Sequence, residues 1–127
     1  MDSTVISDAV NVASRIEGLT KNYGVSLLIS QQTLLKLNNP SQYAIRLIDK
    51  VKVKGKSTLV TVYEVFDADD PEVKEEKLKT KATFEHAWEL YNQNRLKEAA
   101  SLFASCYENN PGDTVAKIYF ERCQGIV

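Results

Sequence analysis

This chain has very few of the residues that build redox or metal centres. Its 127 residues include two cysteines and one histidine. Cys106 and Cys123 have neither the spacing of zinc ligands nor the density of a disulfide scaffold, and His86 alone cannot complete a metal site with them. We therefore expect reduced thiols in a cytoplasmic protein. His86 is expected on a helix surface and is assigned no role as a general base.

Long apolar runs and an excess of one charge are also missing. No stretch approaches the roughly 20 apolar residues of a membrane span, and the first ten residues, MDSTVISDAV, lack the basic and apolar regions of a secretory signal. The formal net charge is -1, so the overall charge does not favour nucleic acid or an anionic membrane as a partner. A basic lobe nevertheless precedes an acidic stretch, and its cations are Lys36, Arg46, Lys50, Lys52, Lys54 and Lys56.

The first half of the chain has the pattern of a mixed helix and sheet. Apolar residues recur at helical spacing over residues 7–22, with Ser7 as the expected N-cap and Gly24 as the stop. The sequence VSLLIS then predicts a short buried strand, and QQTLLKL predicts no more than two helical turns. Two alternating segments, one from Ile48 into a turn at Gly55 and one over residues 58–66, predict a β-hairpin.

After residue 66 the pattern changes to helix. Three segments with helical periodicity are separated by short polar breaks, NQN and NNPGD, and we expect these helices to pack antiparallel. Their aromatic residues are expected in the core and not in a ligand cage: Phe84, Trp88, Tyr91, Phe103, Tyr107, Tyr119 and Phe120. The sequence therefore predicts an α+β chain with a first part over 1–66, an acidic connector over 67–78 and helices over 79–127.

Three sequence blocks in the first part resemble the class III nucleotidyl cyclases, which make cyclic AMP or cyclic GMP. The blocks are DAVNVASRIEG, YGVSLLIS and LIDKVKVKGKSTLVTVYEV, in the order and at the spacing of that family. By this resemblance, residues 1–66 are the C-terminal half of a cyclase catalytic domain, and they are particularly similar to bacterial, cyanobacterial-like adenylate cyclases. The fold that it implies is part of a ferredoxin-like sheet with its helix.

The resemblance also implies a set of substrate contacts. Asn11 and Arg15 match the residues that stabilise the transition state as the ribose 3'-oxygen attacks the α-phosphate, and their four-residue spacing puts them on one helix face. Thr4 matches the purine-reading position, where guanylate cyclases tend to have cysteine, so ATP is favoured as the substrate. Lys54 matches the triphosphate-binding lysine. Residue types alone leave a solvated helix face and an exposed edge lysine as alternatives.

The same resemblance implies that parts of a complete site are absent from this sequence. The family's two metal-binding aspartates and its purine-reading lysine lie upstream of the matched blocks, and Asp2 and Asp8 are not at the matching places. Because cyclisation needs two metal ions, Mg or Mn, we expect this chain to be inactive alone and to bind no metal itself. The family's active sites lie between two protomers, so a homodimer or self-association is expected.

A second resemblance covers residues 82–113, which are similar to one tetratricopeptide repeat. The small residues Ala87 and Ala99 stand near consensus places, as do Tyr91, Phe103 and Pro111, while Cys106 replaces a usual small residue. One repeat is too little for an autonomous array, so the resemblance implies an appended helical hairpin. It also supplies an alternative function, a non-catalytic interaction module in which these helices bind a protein partner.

Overall fold

The computed structural model describes residues 3–52 and 59–125, with side chains from residue 12 onward in the first range. The chain is α+β and divides into two compact units, Met1–Val65 and Phe66–Val127. Within the described ranges, the first unit contains two α-helices and three strands, and the second contains three α-helices. In chain order these elements are α1 (Ser3–Tyr23), β1 (Leu28–Ser30), α2 (Gln31–Leu35), β2 (Ile45–Lys52), β3 (Leu59–Val65), α3 (Pro71–Asn92), α4 (Leu96–Glu108) and α5 (Thr114–Cys123).

The three strands of the first unit form an antiparallel sheet in the order β1-β3-β2. Strand β3 is central, and it pairs with β2 from Ile45↔Val65 at one end to Lys52↔Leu59 at the other. This pairing confirms the predicted hairpin. The turn predicted at Gly55 lies outside the described residues.

Helix α1 is longer than its sequence pattern indicated. It begins at Ser3, so Ser7 lies inside the helix and the prediction of Ser7 as the N-cap was wrong. Weak helix formers such as Thr and Val are tolerated within a helix that is already nucleated, which is why the start was misplaced. Gly24 follows the last residue with φ 65, the left-handed conformation that suits glycine after a helix. Its prediction as the stop is confirmed.

Helix α3 begins inside the stretch that was predicted to be an acidic connector over 67–78. It starts at Pro71 and carries Glu72 in its first turn. Proline at the first helical position and a carboxylate near the N-terminus both favour a helix start. The Nζ of the buried Lys77 donates to Asp69 Oδ2 at 2.6 Å. Most of this acidic stretch is therefore the first part of a helix, whose residue Lys77 is buried, and not an irregular linker.

An aromatic cluster packs the three helices of the second unit together. Phe84 of α3, Phe103 of α4 and Tyr119 of α5 are fully buried. The ring of Phe103 lies 5.4 Å from that of Phe84, edge-on, and 5.0 Å from that of Tyr119, stacked. Trp88 Nε1 donates to the Tyr119 hydroxyl at 3.2 Å. The predicted core position of these four aromatic residues is confirmed, and His86 is exposed on α3 as expected.

The turn between α4 and α5 closes onto the start of α3. Asn110 Nδ2 donates to the Val73 carbonyl oxygen at 3.2 Å. Gly112 approaches the same residue so closely that a Cβ there would lie 2.6 Å from Val73 Cγ2. Asp113 caps α5, since its Oδ1 accepts a hydrogen bond from the Ala116 backbone N–H at 3.2 Å. What the sequence showed only as a polar break is a packed part of the second unit.

Candidate active-site elements

Three of the four candidate site residues lie on helix α1. The backbone of Thr4 and of Asn11 is part of this helix, while their side chains are outside the described part of the structure. Arg15 is exposed and follows Asn11 by one helical turn. The fourth candidate, Lys54, lies outside the described residues, two positions after the end of β2. The sequence-predicted residues are thus assigned to elements, and only Arg15 has a described side chain.

Asn11 and Arg15 begin a row of residues that continues at four-residue intervals to the end of α1. The row is completed by Leu19 and Tyr23, which are 5% and 1% exposed. Successive members of such a row lie one above another, with a drift of about 40° per step around the helix. The row therefore passes from solvent at Arg15 into the core at Tyr23. One end of the helix is anchored, and the other carries the candidate residues.

Backbone hydrogen bonds define where α1 ends. The N–H of Gly24 donates to the Lys21 carbonyl oxygen at 3.3 Å, and the N–H of Val25 donates to the Thr20 carbonyl oxygen at 3.2 Å. These bonds satisfy carbonyls that would otherwise be unpaired at a helix C-terminus. Tyr23 is thus the last residue of a closed helix end and not part of a loop.

Strand β2 contains a β-bulge at its middle. Leu47 is paired with Tyr63 and Asp49 with Val62, so β2 has one residue more than β3 between the two pairs. Ile48, the residue between them, is fully buried. An extra residue of this kind changes the direction in which the following side chains point. The bulge lies directly before the contact that joins β2 to α1.

That contact is a hydrogen bond between Tyr23 and Asp49. The Tyr23 hydroxyl donates to Asp49 Oδ2 at 2.7 Å, and the other carboxylate oxygen, Oδ1, accepts from the backbone N–H of Lys50 at 2.8 Å. Each oxygen of the carboxylate thus has a donor, which fixes its orientation. Nothing in the sequence pattern brings residues 23 and 49 together, so this contact could not be predicted.

A buried ion pair crosses from β2 to β3 on the other side of the bulge. Arg46 Nε donates to Glu64 Oε1 at 2.8 Å, and the two side chains are 0% and 1% exposed. The residues are direct cross-strand partners. Arg46 was predicted only as part of a basic lobe, although the sequence contains a signal for the pair: each residue interrupts an apolar run, AIRLI in one strand and VYEVF in the other.

The residues that the structure describes do not fit a metal site. Among them, no group of three or more His, Cys, Asp or Glu side chains is placed to hold a metal ion. In the same part of the chain, no helix combines the length and the apolar character that crossing a membrane requires.

Comparison with known proteins identifies relatives among adenylate cyclases. The chain is 39% identical over 124 residues, 97% of its length, to the terminal-differentiation-specific adenylate cyclase of Dictyostelium discoideum. It is 59% identical over 66 residues, 51% of its length, to the adenylate cyclase of Anabaena cylindrica. It is 40% identical over 62 residues, 49% of its length, to adenylate cyclase 1 of Rhizobium meliloti. The first match necessarily includes residues of both units.

The chain spans only a small part of each of these relatives: 6% of the Dictyostelium protein, 13% of the Anabaena protein and 9% of the Rhizobium protein. No family model and no solved structure matches it, so the tetratricopeptide-like character of the second unit stays a prediction. The three matches agree with the resemblance carried by DAVNVASRIEG, YGVSLLIS and LIDKVKVKGK. The chain belongs to the adenylate cyclase family and corresponds to a short part of the relatives that it matches.

Proposed function

We propose that this chain supplies transition-state and substrate contacts to an adenylate cyclase that converts ATP to cyclic AMP and pyrophosphate in the cytoplasm. The observation that carries the proposal is that Arg15 is exposed on helix α1, one turn after Asn11, in a chain related to adenylate cyclases. A solvent-exposed arginine on an anchored helix is free to meet a nucleotide, whereas a buried one would not be.

Each candidate residue has a role that suits its chemistry. The guanidinium of Arg15 offers a planar set of donors to the phosphoryl oxygens on which charge develops during the attack. Asn11, one turn earlier, fixes the ribose. The hydroxyl of Thr4 meets the adenine amino group, and Lys54 binds the triphosphate as a point charge. Lys52, which is exposed at the end of β2, contributes only to the local field.

The remaining parts of the site are proposed to come from outside the described residues. Two Mg or Mn ions would activate the attacking oxygen and neutralise the triphosphate when bound, with their aspartate ligands on an upstream part of the catalytic domain. The family's sites lie between protomers, so we propose that the complete enzyme is a dimer and that this chain alone is inactive. Purified chain that made cyclic AMP with Mg-ATP or Mn-ATP would contradict the last point.

The test uses a reconstituted cyclase, in which this chain is fused behind the upstream part of the catalytic domain of the Anabaena relative. With Mg or Mn, the fusion should make cyclic AMP from ATP. Arg15→Ala and Asn11→Ala should each lower kcat by about a hundredfold to a thousandfold, the usual cost of removing a transition-state donor. Lys21→Ala is the matched control, since Lys21 is an exposed cation on the same helix, and it should leave kcat unchanged.

The result that would refute the proposal is an Arg15→Ala variant with the kcat of the unchanged fusion. The role of Thr4 is tested separately, by the ratio of kcat/KM for ATP to kcat/KM for GTP. Thr4→Val removes the hydroxyl and keeps the shape, so this ratio should fall by about fivefold to tenfold, the equivalent of one lost hydrogen bond. A ratio that does not change would remove Thr4 from the site.

A further inference from the structure

We propose that Tyr23 and Asp49 form a positioning pair for the cyclase site, which sets helix α1 against strand β2 so that Arg15 reaches the reacting phosphate. Neither residue touches substrate in this proposal. It rests on the proposed function, because it assigns to the pair the task of holding Arg15 in place. The observation behind it is the 2.7 Å hydrogen bond from the Tyr23 hydroxyl to Asp49 Oδ2.

The position of Tyr23 on the helix makes it suited to this task. It lies eight residues after Arg15, about 12 Å along the helix axis, and in the same four-residue row. A helix is stiff over such a distance, so fixing the direction of Tyr23 around the axis also fixes the direction of Arg15. The ring is 1% exposed, and its hydroxyl donates to Asp49 Oδ2. Packing alone would hold the ring, but the hydrogen bond also fixes its tip.

Asp49 connects helix α1 to strand β2, the strand that precedes Lys54. Asp49 directly follows the β-bulge, three residues before the end of β2, and Lys54 comes two residues after that end. Bulges are often found where a strand must direct a side chain to a particular partner. Here the bulge delivers a carboxylate to the end of α1. Helix α1, which carries Arg15, and strand β2, which ends two residues before Lys54, are therefore joined by this hydrogen bond.

Tyr23→Phe tests the hydrogen bond most directly, because it removes only the hydroxyl that donates to Asp49 and keeps the buried ring. In the reconstituted cyclase it should lower kcat by about tenfold, since a displacement of less than an ångström at a transition-state ligand has effects of this size. KM for ATP should stay within about a factor of two, because Arg15 acts in the transition state. Tyr43→Phe is the control, since Tyr43 is exposed.

The role of Asp49, the acceptor of the Tyr23 hydroxyl, is tested by two substitutions for which we expect opposite results. Asp49→Ala removes the acceptor and should match the loss of Tyr23→Phe, and the double variant should be no worse than either single one, because both break the same contact. Asp49→Asn can keep both contacts, because its amide oxygen can accept from the Lys50 backbone N–H while its amide nitrogen donates to the Tyr23 hydroxyl oxygen. It should therefore retain kcat within about threefold. Full activity of Tyr23→Phe, or an Asp49→Asn variant as poor as Asp49→Ala, would overturn the positioning role.

Failure of this inference can be told from failure of the proposed function by Arg15→Ala in the same fusion. If Arg15→Ala abolishes turnover and Tyr23→Phe does not reduce it, only the positioning pair is refuted. If Arg15→Ala has no effect, the proposed function itself is refuted, and the pair then has no site to position.

A readout that needs no turnover completes the test. This measurement uses the chain without the fused upstream part. Amide hydrogen exchange across the described turns of α1 should be faster in the Tyr23→Phe variant than in the parent chain. Exchange in β3 should be the same in both, because β3 does not depend on the lost bond. Tyr43→Phe should change neither segment. Exchange in α1 that is the same in Tyr23→Phe and the parent would show that the hydroxyl does not hold the helix and would overturn the proposal.

Discussion

Removal of Arg46 should destabilise the first unit far more than removal of any exposed cation on the same strand. The Arg46–Glu64 pair is 0% and 1% exposed with Nε and Oε1 2.8 Å apart, so water cannot compensate either charge when its partner is lost. Breaking a buried pair by removing one member costs about 3–5 kcal/mol. We therefore expect Arg46→Met to lower the free energy of unfolding by about that amount. With a typical dependence on denaturant, the urea midpoint should fall by about 2 M.

Urea unfolding followed by far-UV circular dichroism measures this change. Trp88, the only tryptophan of the sequence, belongs to the second unit, so its fluorescence supplies an internal reference for the part of the chain that is not substituted. Lys52→Met is the matched control, since Lys52 is an exposed cation on β2. It should change the free energy of unfolding by no more than about 0.5 kcal/mol.

A double substitution separates the cost of an unpaired charge from the value of the pair itself. Arg46→Met together with Glu64→Leu replaces two buried charges by apolar side chains of similar size, and such replacements are often neutral or stabilising. We expect the double variant to recover most of the stability that Arg46→Met loses. If Arg46→Met costs less than about 1 kcal/mol, the pair behaves as a solvated one and the reasoning from burial is refuted.

Three further predictions concern the second unit. Gly112→Ala should destabilise it by about 1–3 kcal/mol, because the new Cβ would lie 2.6 Å from Val73 Cγ2. In thermal unfolding, adding Val73→Ala should restore the lost stability. Tyr119→Phe removes the hydroxyl that accepts the buried indole hydrogen bond and should cost about 1–3 kcal/mol by the same assay. Burial raises the pKa of the Cys123 thiol, so its alkylation should be slower than that of free cysteine at pH 8 and should accelerate as pH rises. Mass spectrometry should find Cys123 alkylated before Cys106, which is fully buried.

The elements of the first unit could be predicted from the sequence because their periodicity is strong, but the register of its sheet could not. Counting back along the hairpin from Lys52 opposite Leu59, a regular ladder would place Arg46 opposite Val65. The bulge shifts the pairing by one residue and brings Arg46 opposite Glu64 instead. No glycine or proline marks the bulge, so local sequence gives no sign of it.

The candidate site shows the same division between local and long-range information. The four-residue spacing of Asn11 and Arg15 is local, and it was available from the sequence together with the family resemblance. The contact between Tyr23 and Asp49 joins residues 26 positions apart, and it depends on where the bulge turns the carboxylate. A sequence pattern carries no information about such a distance unless a known relative supplies it.

The bulge makes two side-chain contacts of β2, Arg46 with Glu64 and Asp49 with Tyr23, depend on each other. A sheet register is well specified only if slipping by one residue is costly, and a slip here would place Arg46 opposite Val65 or Tyr63 and separate it from Glu64. The ion pair thus favours the one register in which Asp49 faces Tyr23. An apolar replacement packs equally well but penalises the slip less, since no charge is stranded.

Stability and positioning should therefore separate in the double variant of Arg46 and Glu64. We expect its free energy of unfolding to recover, as argued above, while amide exchange in α1 stays faster than in the parent, because the contact at Asp49 is held less well. The comparison requires both measurements on the same purified chain, with Lys52→Met as the control for each. If stability and α1 protection recover together, the ion pair contributes nothing to register, and Tyr23 and Asp49 find each other through packing alone.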